Sequence, residues 1–587
     1  MDIKLKSALQ HATSPQSEAD IQKADSRSHF FTPMFEGFTV LLLALIAFFP
    51  CLLLATKLDM VTDEVMYILG GKIYLPLLTH LRIGSSQWSY NYEHPPFVKL
   101  LIGLSLALNT ALGHPLPGLL KARLPSILMG TLLIVALYWL GRAPFGRVVA
   151  LAAALCLAVS PWLVYFSALA YLDMTMTALV SIACLLTWHA IHRPSLYLVI
   201  ALLIGLGAAS KYTAVLVVPG IVIFTAYYFF AIRFYIPVEQ RPRIPWLWWL
   251  AAIVLSPIVF FVSDPAIWPH PVSLLTHSFL FEWNHSRNGH LTFLVGRNYL
   301  HVPRWDILYI IFAKISAFVT VPATLFVAYS VIQLIRFHLR KITATEATTL
   351  SFLSIWLISI LGMFSLLNIV VGTHYHLPIA APVAIAGASG LATLLRYRRG
   401  SLAALLITAK TRRTKPLDVL PASPTLRRLR VRSYPLIAVA LLLLALVGSH
   451  LIGLTTVYAA EGYTSEFFDG ENKVLQVAYS GYREGAQWIA VHTRGTEQVG
   501  LVAVLGTLSN GSDGVSWYDY NSDLPHRLKF SEAHTEGTYQ QYNFLIWPMH
   551  LIQRGFSMPK LWRDHVVYTV MGGNTVYCYV LARPMTT

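Results

Sequence analysis

The sequence predicts a polytopic α-helical membrane protein with about eleven transmembrane helices, surface helices in its first outer loop, and a C-terminal extracytoplasmic α/β domain. Three observations lead there. Of the 587 residues, 56% are hydrophobic and only 12% charged, and the apolar ones gather in runs long enough to cross a bilayer. Eleven lysines and arginines crowd between Arg396 and Arg432, flanked by apolar runs, and so dense a basic block stays on the cytoplasmic side. After Tyr458 the composition turns to Gly, Asn, Asp and Ser among short apolar runs, as in a water-exposed domain.

A crossing needs about 20 apolar residues. Such runs fall near 36–56, 123–141, 147–166, 174–192, 195–210, 212–233, 246–263, 306–336, 350–372, 376–395 and 435–457. Residues 1–35 form a polar cytoplasmic tail that lacks the apolar core and cleavage site of a signal peptide, so the first run reads as an uncleaved signal anchor. With that tail inside, the cytoplasmic loops lie at 142–147, 192–193, 233–243, 336–341 and 396–434, and every one is basic. The run 97–112 is apolar but short and follows Pro95 and Pro96. If it crossed, the densest basic block would face outward, so it reads as a helix lying at the outer surface within the first outer loop, 57–122. The membrane domain then covers 36–458 and the outer domain 459–587. In the latter, 484–492 reads as a helix, and 565–570 with 575–581 as a hairpin turning through Gly572, Gly573 and Asn574.

The net charge of +16 raises a nucleic-acid partner, but the excess sits in short loops between apolar runs, where topology explains it. Cys51, Cys156 and Cys184 fall in apolar segments and Cys578 in the outer domain, which leaves neither a disulfide framework nor a zinc cluster. Asn284-His285-Ser286 and Asn510-Gly511-Ser512 are glycosylation acceptor patterns on the outer side.

Sorted by side, the polar residues at span ends collect on the outer face: Asp63 and Glu64, then Glu93, His94 and Lys99, then Asp173, Lys211, and His374, Tyr375 and His376. Singly, each has an ordinary reading. Paired acids after a span are commonly a solvated loop, and a lysine at a helix end commonly snorkels. Asp173 differs, because an acid at a span boundary usually has a partner. His374 and His376 stand at i and i+2 rather than the i and i+4 of helical metal-ligand pairs, which favours packing or phosphate contact over a metal. Their coincidence on one face points to a substrate with an anionic head and an apolar tail. Cations offset the cost of bringing a phosphate to that depth, and a carboxylate beside them can take the proton of an attacking hydroxyl. A sugar on a polyprenyl phosphate meets both requirements.

Several pieces resemble a known family: Thr62-Asp63-Glu64 with Tyr67, Glu93-His94-Pro95-Pro96-Phe97-Val98-Lys99, Arg123-Leu124-Pro125-Ser126, Leu172-Asp173-Met174, Gly207-Ala208-Ala209-Ser210-Lys211-Tyr212, and His374-Tyr375 before Leu377-Pro378. In order and spacing they resemble the membrane glycosyltransferases of the C-type (GT-C) fold that use phospholipid-linked sugars, a group that includes the protein O-mannosyltransferases and the lipid A aminoarabinose transferases. The resemblance implies that Asp63 is the catalytic base with Glu64 as its neighbour, and that Lys211 contacts the carrier phosphate with help from Lys99, His374 and Tyr375. Glu93, His94, Asp173, Tyr67 and Tyr212 would bind or orient substrate. His94 sides with the mannosyltransferases, since the aminoarabinose enzymes carry Lys there, and Met66 replaces the Arg of that branch. The loop 264–304 is too short for the sugar-binding insert of the eukaryotic mannosyltransferases.

The expected reaction is therefore one-step inverting transfer of a sugar, such as a mannose-like hexose, from a polyprenyl phosphate to a hydroxyl of a protein, lipid or glycan acceptor on the outer face. It requires no cofactor, and a divalent metal is compatible but not demanded. The expected location is a bacterial or archaeal plasma membrane, with membrane lipids and no nucleic acid as partners. A transporter or flippase of lipid-linked sugars is the main alternative, although transporters usually hold their charges near the bilayer midplane on broken, repeated helices.

Overall fold

The structure, a computed structural model, describes residues 15–289, 291–339, 342–367 and 372–411, and then 460–584 apart from 469, 471, 476, 478–479, 495, 504–527 and 535–538. The expected crossing at 435–457, residues 412–434 of the basic loop and the pattern at Asn510 lie outside the described residues.

Among the described residues, seven helices are long and apolar enough to cross a membrane: Met34–Lys57, Leu120–Phe145, Leu172–Ala190, Tyr212–Tyr235, Ala317–His338, Ala344–Phe364 and Thr373–Leu395. An eighth counts if Arg147–Ala158 and Pro161–Ser167, bent by 63° at their junction, form one span. The bend has a local cause, because Pro161 supplies no amide to the preceding turn and starts a new helix instead. Leu196–Ser210 and Trp246–Val262 occupy two further expected crossings but have only 15 and 17 residues. At 1.5 Å per residue they reach about 22 and 26 Å, short of the ~30 Å apolar core of a bilayer. The run 306–336 is not continuous: it divides into Asp306–Lys314 and Ala317–His338, where the Ser316 side chain caps the second helix by accepting from the Phe318 amide.

The first helix is anchored by a buried acid that pattern reading passed over. Glu36 accepts from the Tyr138 hydroxyl at 2.7 Å and pairs with Arg142 at 3.0 Å and Arg147 at 2.7 Å. An acid inside an apolar helix needs such partners, and these bind Met34–Lys57 to Leu120–Phe145 and to the start of Arg147–Ala158.

Between these two helices the chain makes the pair Thr62–Thr79 and Phe97–Ala111. Glycines let their backbones touch. A Cβ on Gly71 would stand 2.7 Å from the Lys99 carbonyl oxygen and 2.8 Å from the Gly103 nitrogen. Any side chain there would separate the helices that carry Asp63 and Lys99. Phe97–Ala111, with 15 residues, is among the shorter apolar helices.

The C-terminal domain is built on a five-stranded sheet of β3 (Gln498–Ala503), β4 (Lys529–His534), β5 (Phe544–Pro548), β6 (Val566–Gly572) and β7 (Thr575–Ala582), in the order β4-β3-β5-β7-β6. β3 runs parallel to β4 and β5, while β7 runs antiparallel to β5 and β6. The helix Tyr482–His492 and the β6–β7 hairpin stand where the sequence placed them, with Gly573 at φ +59 in the turn. Tyr482, Ala486 and Ile489 face the sheet, and Gly485 lets Ile546 and Val580 come close. A smaller hairpin, β1 (Thr292–Leu294) and β2 (Arg297–Tyr299), bridges from Leu294 to Leu475.

The sheet domain is tied to the bundle through polar contacts. Lys314 Nζ donates to the Glu461 and Tyr463 carbonyls at 2.7 and 3.0 Å, and Glu466 accepts from Ser316 and the Ala317 amide.

Candidate active site

Thr62–Thr79 starts with two acids in its first turn, where the helix dipole favours negative charge. They face different surroundings. Glu64 is fully buried, and its carboxylate receives four donors: Arg123 Nε at 2.8 Å and the Ala170 amide at 2.8 Å on one oxygen, Arg123 Nη2 at 2.6 Å and the Val61 amide at 3.0 Å on the other. Arg123, also fully buried, spends its remaining donors on the Ala55, Leu58 and Asp59 carbonyls. Glu64, expected as the neighbour of Asp63 in the site, thus has both carboxylate oxygens engaged by these donors. Its bonds shape the turn that presents Asp63.

Asp63 retains partial solvent exposure. Burial of its surroundings raises its carboxyl to about 6, against the opposing pull of the Lys211 charge and a hydrogen bond from Tyr171; Asp173 and Glu93 add to the rise. Tyr171 hydrogen-bonds Asp63, and Lys211, Asp173 and Glu93 lie within electrostatic reach of it.

Lys211 ends the helix Leu196–Ser210 in an extended conformation, φ −157° and ψ 134°, before the 3-10 turn Tyr212–Val217. This break turns its side chain inward. Nζ meets Asp173 Oδ1 at 2.7 Å and lies 3.9 Å from the centre of the Tyr375 ring. Tyr375 and His374 sit in the 3-10 turn Thr373–Ile379. Two pins hold that turn: Trp162 Nε1 donates to Thr373 at 3.0 Å, and His376 Nε2 meets Asp306 Oδ2 at 2.9 Å. His376 therefore packs away from the cluster, while His374 lies with Tyr171 and Phe166 at ring separations of 5.6 and 5.5 Å. Tyr67 completes this wall, 5.8 Å from Tyr171 and 6.3 Å from His94.

The loop 91–96 forms the other side. Asn91 donates to Glu93 at 2.7 Å, and His94 Nδ1 lies 3.4 Å from Glu282. Burial, then the charges of Lys211 and Lys99, hold His94 well below the usual imidazole range. Lys99 is fully buried and donates to the Asn91 and His94 carbonyls, both at 2.7 Å. Lys99, expected at the carrier phosphate, thus directs two of its three N–H donors to holding this loop. Tyr212 turns its hydroxyl to Ser278 at 2.8 Å, and Ser278 donates to the Tyr92 carbonyl at 2.6 Å.

Glu282 was not singled out from the sequence, and neither was Tyr171. Glu282 lies on the helix Pro271–Asn288, and burial raises its carboxyl to about 7, with Lys211 opposing and Glu93 reinforcing the shift. The available signal was an acid among aromatics on an amphipathic stretch, which alone does not mark a site. Among the described residues no group of three or more His, Cys, Asp or Glu side chains is arranged to hold a metal.

Residues 93–262 match the family model described as dolichyl-phosphate-mannose-protein mannosyltransferase, a glycosyltransferase family, and this segment runs from the Glu93-His94 motif through Lys211. The chain is also similar to the crystal structure of ArnT from Cupriavidus metallidurans bound to undecaprenyl phosphate, at 15% identity and a TM-score of 0.46, covering 92% of this chain and 97% of that one. A further similar structure is the Archaeoglobus fulgidus oligosaccharyltransferase tethered to an acceptor peptide containing the NVT sequon, at 11% identity and a TM-score of 0.43, covering 94% of this chain and 75% of that one. No curated protein matches the chain.

Proposed function

We propose that this integral membrane protein is a glycosyltransferase that moves a sugar, a hexose such as mannose, from a polyprenyl-phosphate carrier to an acceptor hydroxyl at the outer face of the membrane. The family match over 93–262 supports the class of donor and reaction. The observation that carries the residue assignment is that Lys211, held on Asp173 and over the Tyr375 ring, stands within electrostatic reach of Asp63, although the two lie far apart in sequence.

Asp63 takes the proton of the acceptor hydroxyl as that oxygen attacks the anomeric carbon from the side opposite the phosphate. The C–O bond to the carrier breaks with its electron pair passing to the phosphate, and the sugar inverts. A carboxyl near 6 suits the task, because it is mostly ionised at neutral pH yet basic enough to accept a proton in the transition state. Lys211 faces the phosphate oxygens. Lys211 Nζ donates one of its three N–H groups to Asp173, which leaves two for the phosphate. A cation fixed in advance stabilises the leaving phosphate without reorganisation during reaction. His374 and Tyr375 line the approach to Lys211, and Glu93, His94, Tyr67 and Glu282 line the sugar side. The protein, lipid or glycan acceptor enters next to Asp63.

The test is Asp63→Asn, purified in detergent and supplied with labelled polyprenyl-phosphate sugar. Loss of a general base lowers turnover by about 10²–10⁴-fold, with the thermal transition and donor binding retained. Turnover within threefold of wild type removes Asp63 from this role. Transfer in detergent, where no compartments exist, also separates catalysis from flipping of a lipid-linked sugar.

A further inference from the structure

The helix Tyr482–His492 begins at Gly481, whose φ of +101° belongs to glycine and which offers no side chain to cap the helix. A cap cannot be added in place, since a Cβ at this position would stand 2.9 Å from Cys578 Sγ. The capping acceptor comes from the membrane domain instead. Asp59 Oδ2 accepts the Arg483 amide at 3.1 Å, a contact across 424 residues of sequence. Its negative charge lies at the end of the helix where the dipole favours an anion.

Asp59 is 2% exposed and stands four residues before Asp63, in the turn between the helix ending at Lys57 and the one starting at Thr62. Its other oxygen accepts the Met60 amide at 2.8 Å, and its carbonyl accepts Arg123 Nη2 at 2.8 Å. One residue thus joins the sheet domain, the turn that leads to Asp63, and the guanidinium that clamps Glu64. The remaining interdomain bonds described above, from Lys314, Ser316 and Ala317, lie on other elements.

We propose that Asp59 is a positioning residue through which the docked C-terminal domain sets the Asp63 turn for transfer, a proposal that rests on the reading of Asp63 as the base. The domain then belongs to the scaffold of the site. It would be more than a separate module appended to the membrane part.

The full-length protein in detergent tests this with three variants: Asp59→Ala, Asp59→Asn and Lys314→Met. Steady-state kinetics and hydrogen exchange over 58–65 and 482–492 are measured for each. Asp59→Ala should lower kcat by about 10–100-fold, the scale of an ångström's misplacement of a reacting group, with donor KM within threefold and faster exchange in both segments together. Asp59→Asn keeps one acceptor oxygen for the Arg483 amide but sets its N–H₂ against the Met60 amide, and should recover part of kcat. Lys314→Met loosens the interface away from the turn and should leave kcat unchanged. If Asp59→Ala fails to fold, Asp59→Ser takes its place, capping its own turn without reaching Arg483. Unchanged kcat in the alanine or serine variant overturns the proposal, as does an equal loss of kcat in Lys314→Met. Normal turnover by Asp63→Asn instead removes the base assignment, and exchange coupling between the two segments still reports on Asp59.

Discussion

Glu64→Gln separates a structural acid from a chemical one. In the structure four N–H donors converge on the Glu64 carboxylate, two from Arg123 and one each from Val61 and Ala170, with both charged side chains fully buried. Glutamine keeps the shape but offers only one acceptor oxygen. Its amide N–H₂ then confronts two of those donors, and the Arg123 charge loses its counterion. Breaking a buried ion pair by removing one partner costs about 3–5 kcal/mol, and an orphaned buried donor adds about 1–3 kcal/mol. Part of the second figure is contained in the first, so the expected loss is roughly 4–6 kcal/mol. That is a large share of a typical stability of about 5–15 kcal/mol and, at about 2.1 cal/mol/K of unfolding entropy per residue, corresponds to a drop of roughly 3–5 °C in Tm for a chain of 587 residues. Thermal unfolding in detergent measures it, alongside turnover per folded molecule. The expected outcome is a fall of several degrees in Tm, with turnover of the folded fraction within tenfold of wild type. A variant that melts within about 2 °C of wild type but has lost transfer would refute the reasoning and return Glu64 to the chemistry.

The remaining predictions concern charge at the site. Because Asp63 must be ionised to act and its carboxyl sits at about 6, kcat/KM should rise with pH through that value, level above it, and be about tenfold lower at pH 5 than at pH 7; a flat profile over pH 5–7 contradicts the base assignment. Lys211→Met should raise donor KM by about tenfold or more. Since the Lys211 charge lowers the proton affinity of Asp63, the same variant should shift the acid limb to higher pH, and pH-dependent initial rates show either shift or none. Lys99→Met should leave the Asn91 and His94 carbonyls without their donor, costing about 1–3 kcal/mol for each; Tm should fall while donor affinity, measured by equilibrium binding, changes less than threefold.

Much of the molecule is legible along the chain because the signals are local. Run length and hydropathy locate the helices, Gly572-Gly573-Asn574 marks the hairpin between β6 and β7, and the spacing of Glu93-His94-Pro95-Pro96 picks out the loop that walls the site. Local signals fail where a helix breaks for tertiary reasons, as at Ile315-Ser316, where an apolar run conceals two helices with Glu466 bonded at the break.

The sequence by itself determined that the protein lives in a membrane, where most of its apolar helices run, and which ionisable residues stand at their ends, but it did not locate the helices Thr62–Thr79 and Pro271–Asn288. Tertiary structure alone decided which of those residues remain available to a substrate. Asp63 and Glu64 are neighbours with equal standing in the sequence, yet Arg123 and the Ala170 amide, 59 and 106 residues away, saturate one of them. Lys99 and Lys211 divide the same way: one gives two N–H donors to backbone carbonyls, the other gives one to a carboxylate and stands over a ring. The physical reason is that a buried polar group must find its partners wherever the fold provides them, so the satisfaction of each donor and acceptor belongs to the assembled chain and not to any segment of it.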